Sequence, residues 1–184
     1  MSTQINILSA NPYTITGGLY AQIEDSTPIT NTTVETSLIG NGEGSLTVPA
    51  NFFKVGDSFM GSMAGHIDSI NNIYLRIKVK TGSVILGDTG LIKLGQCTNQ
   101  HWDLQLRFTI RKLGTAGTAS ISSFGQFTYS KDASDTFEGT DFSTINDTTF
   151  DTTINNTLDV TAQWSSAMDD DTIYSESFIL TKIY

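Results

Sequence analysis

Histidine is the side chain best suited to acid–base chemistry near neutral pH, and this chain has two, His66 and His101. Their spacing matches neither a metalloprotease nor a zinc-finger pattern. Nucleophilic catalysis also needs a base and an orienting group that converge on one place, and the sequence offers no such set beside either histidine. We therefore expect both at ordinary surface or edge positions, and we predict no catalytic residue.

The tripeptide Asp88-Thr89-Gly90 matches the short motif of aspartic proteases, in which two carboxylates share a proton and activate water. Such a site needs a second copy of the motif or a dimer axis. A strand that enters a tight turn often carries the same three residue types. The turn is the interpretation that we prefer, with a protease as the less favoured alternative.

Carboxylates are the remaining candidates for ligand binding. Asp169–Asp171 offers oxygen ligands of the kind that Ca²⁺ prefers, but the twelve-residue EF-hand spacing is absent, so calcium binding stays open. Cys97 is the only cysteine, which excludes an intrachain disulfide and a cysteine-rich zinc site. Four further acidic residues are as consistent with a polar loop as with a glycosidase pair: Glu138, Asp141, Asp147 and Asp151. We predict no cofactor and no metal-binding residue.

The overall charge argues against a nucleic-acid-binding protein. The net charge is −9 at pH 7, so phosphate neutralisation is disfavoured. Only 16% of the residues are charged, against roughly 25% in an average soluble domain, and Ser, Thr, Asn and Gly cover the surface instead. The N-terminus does not resemble a signal peptide, and no window approaches the ~20 apolar residues of a membrane-spanning helix. We expect synthesis in a reducing cytoplasm and no membrane span.

Three segments alternate apolar and polar residues with a period of two, which indicates half-buried β-strands. They are 73–80, 101–111 and 158–165. Gly- and Asn-rich turns separate the strand candidates along the chain. Weaker strand candidates lie before, between and after these three segments, at 19–23, 34–39, 45–48, 58–67, 83–86, 91–94, 118–129 and 173–184. About ten short strands separated by turns are typical of a sandwich or barrel.

We predict an all-β fold, a single jelly-roll β-sandwich of two antiparallel sheets over residues 34–184. Residues 1–33 form either an N-terminal arm that passes over a neighbouring subunit or locally packed edge strands. The polar stretch Lys131–Asp147 is predicted as one long surface loop. The apolar C-terminal segment Glu176–Tyr184 is predicted to end inside a sheet, next to the first long strand.

Four segments resemble virion jelly-roll proteins of large icosahedral DNA viruses, and they look most like the vertex, or penton, proteins of viruses such as chloroviruses. They are Leu46–Phe59, Asn72–Val84, Asn146–Trp164 and Ile173–Glu176. Together they span roughly residues 45–184. The similarity is one of whole strands and turns, not of catalytic residues, and it implies a jelly roll at the surface of a virus particle.

The resemblance implies a structural, non-enzymatic capsid protein located in the virion and made in the host cytoplasm. Five copies would close a ring at each vertex, beside neighbouring capsid proteins. The alternative is a trimeric fibre head or spike that binds a host receptor or a carbohydrate through loops at Gly61–Asn72 and Lys131–Asp147. Large aromatic residues dominate protein interfaces, and the candidates are Tyr74, Trp102, Trp164, Phe178 and Tyr184.

Overall fold

The computed structural model describes residues 17–132 and 136–184, and these residues form strands, turns and loops without a helix. The strands are β1 (Gly17–Gln22), β2 (Ile29–Thr30), β3 (Thr36–Ser37), β4 (Gly42–Gly44), β5 (Thr47–Val48), β6 (Ser58–Ser69), β7 (Tyr74–Thr81), β8 (Val84–Asp88), β9 (Ile92–Lys93), β10 (Cys97–Lys112), β11 (Ser120–Ser130), β12 (Phe137–Asn146), β13 (Asn156–Trp164) and β14 (Thr172–Lys182). No helix long and apolar enough to cross a membrane occurs within the two described ranges.

The strands form two antiparallel sheets. The larger has the order β12-β11-β10-β6-β14-β1-β4, and β2 also pairs with β14. The smaller has the order β3-β13-β7-β8, with β5 paired to β13 and β9 paired to β7. The prediction of an all-β sandwich of two antiparallel sheets is therefore confirmed, while its jelly-roll connectivity is a finer statement and stays a prediction.

The three alternating segments are strands, as predicted. In β10 the apolar side chains from Trp102 to Ile110 point inward and are buried, while the residues between them face solvent. β7 and β13 pair with each other, and Val79 and Val160 are opposite each other and fully buried. Because successive side chains of a strand point to opposite faces, the sequence pattern alone fixes which residues enter the core.

The core lies between the sheets, and its two tryptophans have satisfied ring nitrogens. The Trp102 Nε1–H group lies 3.1 Å from the carbonyl oxygens of both His66 and Tyr174. Trp164 Nε1–H donates to the Ile29 carbonyl at 2.9 Å. A buried indole needs such a partner, so these contacts fix the positions of β2, β6 and β14 against the core.

Two segments predicted as loops are strands instead. β12 occupies most of the predicted loop Lys131–Asp147, and residues 133–135 of that range lie outside the described residues. Most of Gly61–Asn72, the other proposed receptor-binding loop, belongs to β6, a central strand between β10 and β14, which confirms the strand candidate at 58–67 instead. Both loop predictions are wrong, because pairing with a neighbouring strand satisfies a backbone whose own sequence is only weakly strand-like.

Both ends of the described chain contribute strands to the larger sheet. The C-terminal segment forms β14 in the interior of the larger sheet, so the prediction that it ends in a sheet is confirmed. Within the predicted N-terminal range 1–33, residues 17–33 contribute β1 and β2 to that same sheet. Residues 1–16 lie outside the described residues, so the choice between an arm and edge strands stays a prediction.

Candidate assembly surface

The two histidines lie side by side on the outer face of the larger sheet. His66 of β6 pairs in register with His101 of β10, and their rings stack with centroids 4.8 Å apart. Tyr174 stacks on the other side of His66 at 6.0 Å, and the Glu176 Oε1 atom is 3.0 Å from His66 Nδ1. The surface position was expected. The pairing was not, because it depends on the register of two strands that are 35 residues apart in sequence.

The tripeptide Asp88-Thr89-Gly90 lies where β8 ends: Asp88 is the last residue of the strand, and Gly90 has a φ of +64°. Asp88 is ion-paired with Arg76, whose Nε donates to Asp88 Oδ1 at 2.8 Å, and this contact lowers the pKa of the carboxyl. The Gly90 N–H donates to the same oxygen at 2.8 Å, and Ile77 N–H donates to Thr89 Oγ1 at 2.9 Å. Both side chains are thus used to hold the end of β8 against β7.

The acidic run Asp169–Asp171 does not converge on one point. Asp171 is buried, its Oδ1 accepts a hydrogen bond from Ile70 N–H at 2.9 Å, and burial raises its pKa. Asp169 and Asp170 are exposed instead, and they line a polar cleft together with Asp68. Within residues 17–132 and 136–184 no three or more His, Cys, Asp or Glu side chains are arranged to hold a metal ion.

Other candidate side chains have structural surroundings. Cys97 is buried with its Sγ atom 3.1 Å from Ser69 Oγ, and burial raises the pKa of the thiol. Glu138 accepts hydrogen bonds from Tyr129 O–H at 2.9 Å and from Lys131 Nζ at 2.6 Å. Asp151 accepts from Thr153, whereas Asp141 and Asp147 are exposed on β12 and just beyond it. Of the four acidic residues, Glu138 and Asp141 line one shallow pocket on β12.

The predicted aromatic contact residues divide into two groups. Trp102, Trp164 and Phe178 are core residues and are not available to a partner. Tyr74 is 38% exposed and Tyr184 is 68% exposed. Sequence alternation places aromatic residues on a strand face, but it cannot tell whether a chain end such as Tyr184 is covered.

One end of the sandwich exposes large apolar side chains, of which the sequence analysis had indicated only Tyr184. We call it the apolar end and define it by Phe52, Val55, Leu113, Ile154, Ile183 and Tyr184, which are all exposed. The most exposed of these is Phe52, at 72%. Because the six residues come from four separate segments, no local sequence pattern indicated that they share a surface.

Hydrogen bonds hold these four segments together. Asn51 N–H donates to the Thr152 carbonyl at 2.8 Å, and Gly114 N–H donates to Thr152 Oγ1 at 2.9 Å. Ser58 N–H donates to the Tyr184 carbonyl at 3.0 Å. Gly56 has a φ of +93° and lies under the Tyr184 ring, where a Cβ atom would be 3.2 Å from the ring. These hydrogen bonds thus hold in place the backbone segments that carry the exposed apolar side chains.

Cationic side chains lie beside the apolar end, and not all of them are ion-paired. Lys182 is ion-paired with the buried carboxylate of Asp57 at 2.7 Å. Arg111 and Lys112, at the end of β10, are exposed and form no ion pair with the described residues. The acidic cleft lies at the other end of the molecule, since Asp68 is ten residues, or ~33 Å, along β6 from Ser58.

Searches against protein-family models, curated proteins and solved structures gave no match to this chain.

Proposed function

We propose that this chain is a structural protein of a virus capsid that assembles with copies of itself into a pentameric vertex. The observation that carries the proposal is the apolar end. Soluble monomers rarely expose large contiguous apolar surface unless it contacts a partner. Phe52 and Tyr184 are also rigid aromatic groups of the kind that dominate interface energies.

The order of the strands supports the jelly-roll part of the proposal. Eight strands taken in chain order, β1, β3, β6, β7, β8, β10, β13 and β14, fall in the larger, smaller, larger, smaller, smaller, larger, smaller and larger sheet. Their spatial orders are β1-β14-β6-β10 and β3-β13-β7-β8. A jelly roll is an eight-stranded sandwich built from two Greek keys, and such repeated crossing between sheets is what it requires. On this view β11 and β12 are an added hairpin.

Charge distribution favours a second copy of the chain as the partner. Arg111 and Lys112 border the apolar end, whereas the cleft at the opposite end carries Asp68, Asp169 and Asp170. Two different surfaces of one molecule are thus complementary in charge. Contacts between different surfaces are heterologous, and they close into a ring when the rotation between neighbours allows it.

Native mass spectrometry of the purified protein, combined with light scattering, tests this proposal. We expect a pentamer, and we expect the double variant Phe52→Ser/Val55→Ser to be a folded monomer. A matched control is Ile23→Ser/Leu91→Ser, which removes two equally exposed apolar side chains away from the apolar end.

The other outcomes are equally informative. A trimer would favour the fibre-head alternative, whose receptor or glycan binding could then be measured. A wild-type chain that stays monomeric at all concentrations would contradict self-assembly, as would a control variant that dissociates as readily as the Phe52 variant.

A further inference from the structure

A cavity of about 110 Å³ lies between the two sheets near the apolar end. Its walls come from both sheets and are mostly apolar; they include Phe53, Phe59, Leu86, Phe108, Ile121 and Phe150. Protein interiors are close-packed, and voids larger than a water molecule are few in each domain. A space of this size in the core is therefore a specific feature of the fold.

The polar groups in the cavity wall are already hydrogen-bonded to the protein. Thr81 O–H donates to Asn156 Oδ1 at 3.4 Å, and Asn156 Nδ2 donates to the carbonyl oxygens of Asp151 and Ile154. Thr47 Oγ1 is 2.7 Å from Thr157 Oγ1. An ordered internal water needs two to four polar partners, so the wall favours an apolar occupant over water.

The cavity reaches solvent between β1 and the segment 45–48. Ser45 is the exposed wall residue, and the other wall residues that are not fully buried are Leu19, Leu46, Thr47, Val48 and Leu158. This opening lets a ligand enter without separating the two sheets.

The surface beside the opening offers no free charge to a ligand. Leu46 and Leu158 are shared with a shallow depression that also contains Lys80 and Asp159. Lys80 Nζ is 2.6 Å from Glu35 Oε1, and Asp159 Oδ1 accepts a hydrogen bond from Ser37 at 2.7 Å. A ligand head group bearing a charge would have to compete with these existing contacts.

We propose that this cavity is a binding site for an uncharged apolar ligand, either a small hydrocarbon or the short alkyl end of an uncharged amphiphile. The size is suitable, since an engineered apolar cavity of about 150 Å³ binds benzene or xenon. A ligand that binds only the folded state stabilises it by an amount that grows with the logarithm of the ligand concentration above the Kd. The site is separate from the proposed assembly surface and does not depend on oligomerisation.

Benzene titration followed by methyl NMR tests the proposal on the full chain. We expect saturable shifts in Leu46, Leu86 and Ile121, and none with benzoate, which is the charged analogue. Val48→Phe places a larger side chain at the opening and is expected to weaken benzene binding by at least about tenfold. Val84→Phe is the matched control, because Val84 is also half-buried against the core but does not line the cavity.

A second variant tests the proposal independently, in case the Val48 variant does not fold. Leu86→Ala enlarges the cavity and should allow binding of p-xylene, a longer probe than benzene. The proposal is overturned if wild-type protein shows no saturable shift up to the solubility of benzene, if benzoate binds equally well, or if the Val48 and Val84 variants lose binding to the same extent.

Discussion

The Glu35 carboxylate accepts a hydrogen bond from the Lys80 ammonium at 2.6 Å on the outer face of the smaller sheet. The other carboxylate oxygen is 2.5 Å from Lys78 Nζ, and Thr161 O–H donates to Glu35 at 2.9 Å. These contacts, chiefly the one with Lys78, lower the pKa of Glu35 to about 2. The segment before β3 is thereby held over β7 and β13.

Substitution Glu35→Gln tests this ion-pair network. A carboxyl whose pKa is lower in the folded state stabilises the fold above its ordinary value of 4.5, and that stabilisation is lost as the pH falls towards about 2. We expect the variant to lose about 1 to 2 kcal/mol in the free energy of unfolding at pH 7, after allowance for solvent screening. Urea denaturation at several pH values should show the difference shrinking below pH 4.5.

An exposed carboxylate provides the control for this experiment. Glu43→Gln alters a side chain on β4 that faces solvent, and its unfolding free energy should stay close to that of the wild type. A Glu35 variant that is as stable as the wild type at pH 7 would show that the network contributes nothing measurable.

The effect of Asp171 on stability is expected to depend on pH in the opposite sense to that of Glu35. Its carboxyl is buried, and its Oδ2 has no hydrogen-bond partner among the described residues, so the charged form is disfavoured and the pKa is raised. Stability is therefore lost as the pH rises from the ordinary value of 3.8 through the raised folded-state pKa. We expect Asp171→Asn to increase the free energy of unfolding at pH 7 by about 1 to 3 kcal/mol.

The gain in unfolding free energy from Asp171→Asn should disappear below pH 3.8, where the aspartic acid of the wild type and the asparagine of the variant are both neutral. Denaturant titrations at pH 7 and at low pH measure it. Asp169→Asn changes an exposed neighbour and should have little effect. Equal stabilisation at both pH values would contradict a cause based on burial of the charge.

The Phe142 ring lies between two glycines from opposite sheets and connects β12 to the smaller sheet. A Cβ atom at Gly125 of β11 or at Gly87 of β8 would lie 2.0 Å from this ring. We expect Gly125→Ala to lower the free energy of unfolding by about 1 to 3 kcal/mol, because overpacking forces a buried ring to move. Thermal unfolding compares it with Gly18→Ala, where a Cβ atom would have no neighbour within 4 Å. Similar melting temperatures for the two variants would rule out this packing role.

Charge reversal tests which two surfaces meet in the proposed ring. We expect Arg111→Glu/Lys112→Glu to weaken the oligomer by about tenfold or more at low salt, because both cations would face the acidic end of the neighbouring copy. Adding Asp169→Lys/Asp170→Lys should restore part of the lost affinity. Analytical ultracentrifugation gives the affinities. Lys93→Glu removes an exposed cation on β9 and serves as the control. Absence of any restoration would exclude this pairing of surfaces.

The sequence by itself predicted the fold class and much of the core. Alternation in β7 and β10 identified the buried residues correctly, because side-chain direction in a strand depends only on position along it. In β13 it placed Val160, Ala162 and Trp164 correctly but missed Thr161, which is buried on the outer face where Glu35 covers it. The end of β8 at Asp88-Thr89-Gly90 was equally predictable, since the hydrogen bond from Gly90 N–H to the Asp88 side chain is also local. β12 was missed because its apolar positions are few, and it is a strand chiefly through its pairing with β11.

Only the tertiary structure decided which distant residues share a surface. The stacking of His66 on His101 follows from the register of β6 against β10. The segments that carry Phe52 and Ile154 meet at the apolar end because Asn51 N–H donates to the Thr152 carbonyl. The physical reason is the same in both cases: alternation determines which face of a strand is buried, but the choice of partner among segments far apart in sequence depends on packing of the whole sandwich.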